Sequence, residues 1–245
     1  MPKLKITLAT VGHMPANFNK EKIKEWKSSI FEIDSEIESY TLTTDSDGPN
    51  WEYTDKSLET ILPKSFSSNF LIAIVNVPLE LNWYSRRLTS NRVVFSFHEI
   101  KEFLKASNIP LENAIFRLLY AYTLLYLRSG NQIPTGLAIT NFTHDETRGC
   151  LFDMNGLKSD IVYSLNKPRI CPECTERLLR ERTSHETIEK CQEEIKKIQK
   201  PLFYQTADYI KEHPIISLTI SASVAIILGV ISSIFGSYLW ELIRS

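Results

Sequence analysis

The sequence predicts an α/β (α+β) globular domain, followed by a charged helix and one C-terminal helix of membrane-spanning length. Three observations carry this prediction. Apolar runs of strand length occur in the first hundred residues, one long run with helical periodicity follows them, and an uncharged apolar stretch lies between Lys211 and Glu241. Strands combined with a helix too apolar for solvent indicate a mixed, layered domain.

Residues 3–11 read as the first strand, with Leu4, Ile6 and Leu8 alternating against Lys5 and Thr7, and Gly12 ends it. Residues 19–28 suit a polar helix, and 32–43 a strand with Ile33, Ile37 and Tyr40 in alternation. Ser46, Gly48 and Pro49 make 45–50 a loop. The run Phe70, Leu71, Ile72, Ala73, Ile74, Val75 within 69–77 is continuous, as in a strand buried on both faces. Residues 92–97 form another short strand, expected at a sheet edge.

From 110 to 127 the period becomes helical, with Ile115, Leu118, Leu119, Tyr122, Leu125 and Tyr126 in phase. Pro110 suits a first turn, and Glu112 complements the positive helix start. Gly130 stops the helix before a loop containing Pro134 and Gly136. Residues 176–200 are strongly charged and helical. Their apolar seam Ile188, Cys191, Ile195, Ile198, Leu202 covers about two heptads, short for an autonomous coiled coil. It serves either to pack this helix on the domain or to build an oligomeric stalk, which Pro201 would interrupt. The expected division is a domain at 1–178, a charged linker helix at 179–213, a transmembrane helix at 214–240 and a short tail at 241–245.

The uncharged run 215–239 is long enough to cross a bilayer as one helix. Within it Ser217, Ser221, Ala225, Gly229, Ser233 and Ser237 recur at every fourth residue, so small side chains line one ridge. Such a ridge admits a second helix closely in lipid, and a homo-oligomer through the span is expected. Its hydroxyls are also a conceivable lining for a water path. Residues 1–9 lack the pattern of a secretory signal. Lys196, Lys197, Lys200 and Lys211 precede the span and only Arg244 follows it. The positive-inside bias therefore implies a single-pass, tail-anchored protein of the cell inner membrane, in contact with membrane lipid, with its N-terminal domain cytoplasmic.

With 28 basic and 29 acidic residues the net charge is −1, which removes the electrostatic basis for direct nucleic-acid binding. Four cysteines in a cytoplasmic setting point to thiols or metal, not to a disulfide framework. Cys171 and Cys174 flank Pro172 and Glu173, and Cys150 lies upstream, near His144. Two thiolates at that spacing reach one tetrahedral zinc from a tight turn, and further ligands come from a neighbouring loop. The choice is between a structural zinc (Zn) and reduced cysteines in a compact turn, with His144, Asp145 and Cys191 as candidates for the fourth ligand. Cys150 with His144 as nucleophile and base is a further option, which zinc ligation would consume. His98 and Glu99 form the one His-Glu pair, with no histidine four residues on; His13, His185 and His213 carry no motif. Arg148, Asp153 and Asp160 share one loop and suit an internal ion pair. Trp51, Trp83 and Tyr84 are of a kind usually found in cores.

The stretch Thr143-His144-Asp145-Glu146-Thr147-Arg148-Gly149-Cys150-Leu151-Phe152-Asp153-Met154, followed by Cys171-Pro172-Glu173-Cys174 and Leu178, resembles the archaemetzincins, zinc metalloproteases of the metzincin group. The resemblance implies a metzincin-like domain. His144 matches the histidine that closes the catalytic zinc motif, Cys150 the second structural cysteine, Cys171 and Cys174 the final pair, and Met154 approximates the methionine turn. The family also needs two histidines four apart on one helix with a glutamate between them. The corresponding helix, 113–127, contains no histidine, and Asp145 stands where the first structural cysteine belongs, so His144 is placed to join the structural site. The expectation is a pseudoenzyme. A degenerate domain plus a terminal span also resembles, in architecture, the membrane-disrupting effectors of prokaryotic immune systems. That implies a non-catalytic effector that oligomerises through its span to disrupt or depolarise the membrane in antiviral defence, once a cytosolic protein partner or ligand engages the domain. A membrane-tethered zinc metallopeptidase and a membrane-recruiting scaffold are the alternatives.

Overall fold

The computed structural model describes residues 3–34, 36–136, 138, 140–141, 143–144 and 147–244. The first half contains β1 (Leu4–Val11), α1 (Lys20–Lys24), β2 (Phe31–Ile33), β3 (Glu38–Tyr40), α2 (Asp55–Ile61), β4 (Phe70–Val75), β5 (Ser85–Arg87) and β6 (Arg92–Ser96). The second half is helical: α3 (Ile100–Ala106), α4 (Glu112–Arg128), α5 (Pro172–Arg180), α6 (His185–Ile195), α7 (Leu202–Glu212) and α8 (Pro214–Arg244). The chain divides into two compact units, Met1–Gln199 and Lys200–Ser245.

The sheet runs β2-β1-β4-β6-β5. All its pairings are parallel except that of β5 with β6. β4 is central, and its unbroken apolar run is explained by two covered faces. Phe70, Ile72 and Ile74 join the larger core with α4 and α6, while Leu71, Ala73 and Val75 join a smaller one with Leu58 and Leu62. The expected strand at 32–43 is instead two short strands, β2 and β3, both pairing with β1. Asp34 follows β2: its N–H donates to the Ile6 carbonyl at 3.0 Å, and its carboxylate accepts the Thr7 hydroxyl at 2.7 Å. The strand expected at an edge, 92–97, is also corrected. β6 is buried along its length, and β5 covers its outer side. β5 is Ser85-Arg86-Arg87, a polar edge with no apolar pattern to announce it.

α1 is shorter than expected, five residues capped by Asn19, whose side chain accepts from the Lys22 N–H. α4 is buried from Glu112 to Tyr126. One side meets the sheet, and the other is covered by residues 150–170 and by α6. The charged segment 176–200 is two helices, broken before Ser184, which caps α6. Of its seam, Ile188, Cys191, Ile195 and Ile198 pack into the main core, whereas Leu202 is 78% exposed. Most of this helix therefore belongs to the domain, which reaches Gln199.

A buried carboxylate secures α6. Glu194 accepts hydrogen bonds from the Ser28 hydroxyl at 2.6 Å, the Ser29 N–H at 2.6 Å and the Tyr120 hydroxyl at 2.7 Å, and Trp26 donates to Tyr120 at 3.0 Å. Burial pushes the Glu194 carboxyl upward, but the donors from Ser28, Ser29 and Tyr120 outweigh it and hold the group below the usual carboxylate range.

In the second unit, Lys200 pairs with Asp208 at 2.7 Å. α8 includes a 28-residue segment, Pro214–Glu241, that is long and apolar enough to cross a membrane and has none of its most apolar window buried. Its hydroxyls bond back along the helix: Thr219 to the Ile215 carbonyl, Ser221 to Ser217, Ser223 to Thr219 and Ser237 to Ser233.

Glu194→Ala strands three donors and is expected to destabilise the first unit by about 3 kcal/mol in denaturant unfolding. The lowered carboxyl contributes stability above its ordinary pKa that is lost as pH falls through the depressed value, so Glu194→Gln should flatten the acid limb of the stability profile.

Candidate metal centre and the adjacent cleft

The two-residue-spaced cysteine pair sits at the start of α5. Cys171 is the N-cap, its sulfur accepting the Cys174 N–H at 3.5 Å, and Pro172 occupies the first turn, where a missing N–H costs nothing. Cys150 arrives beside them through a short backbone pairing, with Arg169 N–H donating to Gly149 at 2.9 Å and Leu151 N–H to Arg169 at 2.7 Å. Gly149 has φ +86°, a left-handed turn that a side chain would strain. His144 is held by its N–H to the Phe152 carbonyl and by the Met154 N–H to its own carbonyl, both at 3.1 Å.

The ligand atoms of His144, Cys150, Cys171 and Cys174 lie within 4.8 Å of one another. The Cys150 and Cys174 sulfurs are 3.9 Å apart, and Cys171 Sγ is 3.6 Å from His144 Nε2. Zinc bond lengths in a tetrahedron require roughly 3.8 Å between sulfurs and about 3.6 Å from sulfur to nitrogen. The donor set therefore fits zinc in both chemistry and spacing. The three cysteines are buried and the histidine is half-buried. The hydrogen bond to Cys174 holds the Cys150 thiol well below the usual thiol range, and the same contact pushes Cys174 upward. Four protein ligands would close the coordination sphere of a bound zinc, as in structural sites, whereas catalytic zinc keeps one position open.

Among the described residues no other group of three or more His, Cys, Asp and Glu side chains converges in this way. Cys191, one candidate for the fourth ligand, lies in the core and stands outside the group; burial raises its thiol well above the usual range. Asp145, the other, lies outside the described residues. His98 is 4.0 Å from Glu99, which also pairs with Lys158, and burial lowers its imidazole. Arg148 pairs with Asp160 at 3.6 Å, whereas Asp153 is buried and accepts the Asn155 N–H. Of the three aromatics expected in the core only Tyr84 is there; Trp51 and Trp83 are exposed.

Beside the cysteine group opens a cleft of about 470 Å³, bounded by β5, by α4, by Gly136, Thr140, Asn141 and Thr143, and by Leu151, Phe152 and Met154. α4 contributes Arg117, Leu118, Ala121 and Tyr122, and no histidine. Arg117 is 4% exposed; its Nη2 donates to the Asp153 carbonyl at 2.9 Å and its guanidinium lies 5.9 Å from the Tyr84 ring centroid. Arg87, from β5, donates to Thr140 and to the Ala138 carbonyl, and burial lowers its guanidinium. Neither arginine belongs to a sequence motif. The one signal for Arg117 is a cation inside an otherwise apolar helical repeat.

No protein-family model and no curated protein matches the chain. Among solved structures it is similar to the crystal structure of archaemetzincin from Methanopyrus kandleri, at 14% identity and a TM-score of 0.40, over 73% of this chain and 95% of that one. No residue's role is carried over from that protein.

Purified without chelator, the chain should hold one zinc. Cys150→Ser or Cys174→Ser should lose it and unfold at lower denaturant, whereas Cys191→Ser should keep it. Metal analysis with unfolding curves checks both, and equal zinc in Cys150→Ser would remove the site.

Proposed function

We propose that this chain is a non-catalytic membrane effector. Its first unit is a zinc-stabilised receiving domain, and its apolar helix assembles in the membrane and depolarises it when a ligand or protein partner engages that domain. The carrying observation is the uncovered apolar segment Pro214–Glu241, which presents a ridge of small residues at every fourth position. Close helix contact in lipid rests on packing, and small residues permit it. Of the ridge hydroxyls, those of Ser221 and Ser237 bond to carbonyls of their own helix.

The chemistry of the first unit supports a receiving role over a catalytic one. Its cysteine and histidine ligands would complete a zinc sphere by themselves, and that zinc would hold the 144–154 chain against α5. The cleft helix carries arginine and tyrosine in place of metal ligands and a general base. Clustering of domains raises the local concentration of spans, so that a weak pairwise association becomes a population switch. We assign the domain to the cytoplasmic side of the inner membrane, from the lysines that precede the span, and the biological setting to antiviral defence, from the architectural resemblance alone.

The test is membrane potential and growth in cells expressing the chain fused to an inducible dimeriser. Forced clustering of the intact sequence should depolarise the cells. The double change Gly229→Leu with Ser233→Leu keeps length and apolarity, and should leave insertion intact while abolishing depolarisation. Equal depolarisation by the double variant would exclude assembly through the ridge, and no depolarisation by the clustered intact chain would leave a scaffold.

A further inference from the structure

We infer that the cleft between β5 and α4 is a binding site for a small aromatic phosphate of mononucleotide size. This deepens the reading of the first unit as a receiving domain, and is independent of what the apolar helix does.

The anion half of the site rests on Arg117. Its guanidinium is almost wholly buried, yet its Nε has no hydrogen-bond partner. A buried, unsatisfied donor on a charged group is costly, and the fold does not relieve it here: among the described residues no carboxylate lies within ion-pairing distance of Arg117. Its remaining contacts are the Asp153 carbonyl and the face of Tyr84. Tyr84 is itself fixed, donating to the Met154 carbonyl at 3.2 Å and accepting from Asn155 at 3.4 Å. Arg117 is thus held rigidly, with no carboxylate partner among the described residues, on the wall of a cavity.

Arg87 supplies the second charge. It shares the cavity wall and bonds only to neutral oxygens, of Thr140 and Ala138, at 3.3 and 3.4 Å. Arg86, also on the wall, is neutralised by Asp55 at 2.5 Å. The described lining contains no aspartate and no glutamate, so among the described residues Arg87 and Arg117 face the cleft without a carboxylate beside them. A phosphate monoester carries close to two negative charges at neutral pH and accepts forked guanidinium donors. Desolvated arginines recognise such groups more strongly than exposed ones do.

The rest of the cavity suits the body of the ligand. Its volume, about 470 Å³, lies in the range of small-molecule sites and greatly exceeds what an inorganic ion fills. Leu118, Ala121, Leu151 and Phe152 supply apolar surface, and Trp83, 42% exposed, offers an indole for stacking. The Ser85 and Tyr122 hydroxyls, 2.8 Å apart, add orienting polar groups.

The experiment is calorimetric titration of the full chain in detergent with adenosine monophosphate, adenosine and inorganic phosphate. Adenosine monophosphate should bind saturably at one site per chain, and adenosine and inorganic phosphate should each bind at least about tenfold more weakly. Arg117→Met should weaken binding by a similar factor. Because Arg117 also steadies the Asp153 backbone, a further variant guards against misfolding: Arg87→Met removes the other charge, from a half-buried position on an edge strand. It should keep its zinc and unfolding midpoint while losing adenosine monophosphate. Binding of adenosine as tight as that of its phosphate, unchanged affinity in Arg87→Met, or no binding at all would each overturn the assignment. The depolarisation assay uses forced clustering and needs no ligand, so its outcome is read separately.

Discussion

A helix that is apolar over most of its surface has to be covered on nearly every side, and α4, buried from Glu112 to Tyr126, imposes that requirement on the first unit. The sheet covers one side with Phe70, Ile72, Val93 and Phe95. The other side has no second sheet. It is closed by residues 150–170, which have little regular structure, and by α5 and α6, which are short and charged. Apolar burial drives this closure but does not orient it, because the hydrophobic effect has no direction.

Orientation comes from a few polar contacts at the rim of that cover. Glu194 gathers donors from the segment before β2 and from α4, fixing α6 against both. Asn113 donates to the carbonyls of Leu165 and Gln199, closing the end of the same layer. Arg177 of α5 donates to the Asn141 carbonyl, and the sulfurs of Cys171 and Cys174 meet Cys150 and His144. A metal at this last point would cross-link the loop to the helix, and structural zinc contributes folding free energy of this kind.

The cleft adjoins this group. It lies between Leu151, Phe152 and Met154, β5 and the α4 side chains from Arg117 to Tyr122. Phe152, on its wall, accepts the His144 N–H, so the cavity wall is joined by backbone to the cysteine and histidine group.

Elements with strong local patterns were legible from the amino-acid order: β1, β4, α4, the cysteine pair and the apolar C-terminal helix. Each carries its own periodicity or spacing, set by backbone geometry within a single segment. Residues 32–43, β5 and α3 were not legible, because a strand of three residues such as β5 is specified by its neighbours and not by alternation. All four members of the cysteine and histidine group were named from the sequence, Cys171 and Cys174 by their spacing and Cys150 and His144 by nearness and resemblance, but their convergence rests on the backbone pairing of Cys150 with Arg169 and of His144 with Asp153. Arg87 and Arg117 lie 30 positions apart, on a strand and a helix. The sequence by itself determined which segments are apolar, helical, thiol-bearing and long enough for a bilayer. Only the tertiary structure decided which of them share a site, since ligation and charge pairing depend on distances that local backbone periodicity does not encode.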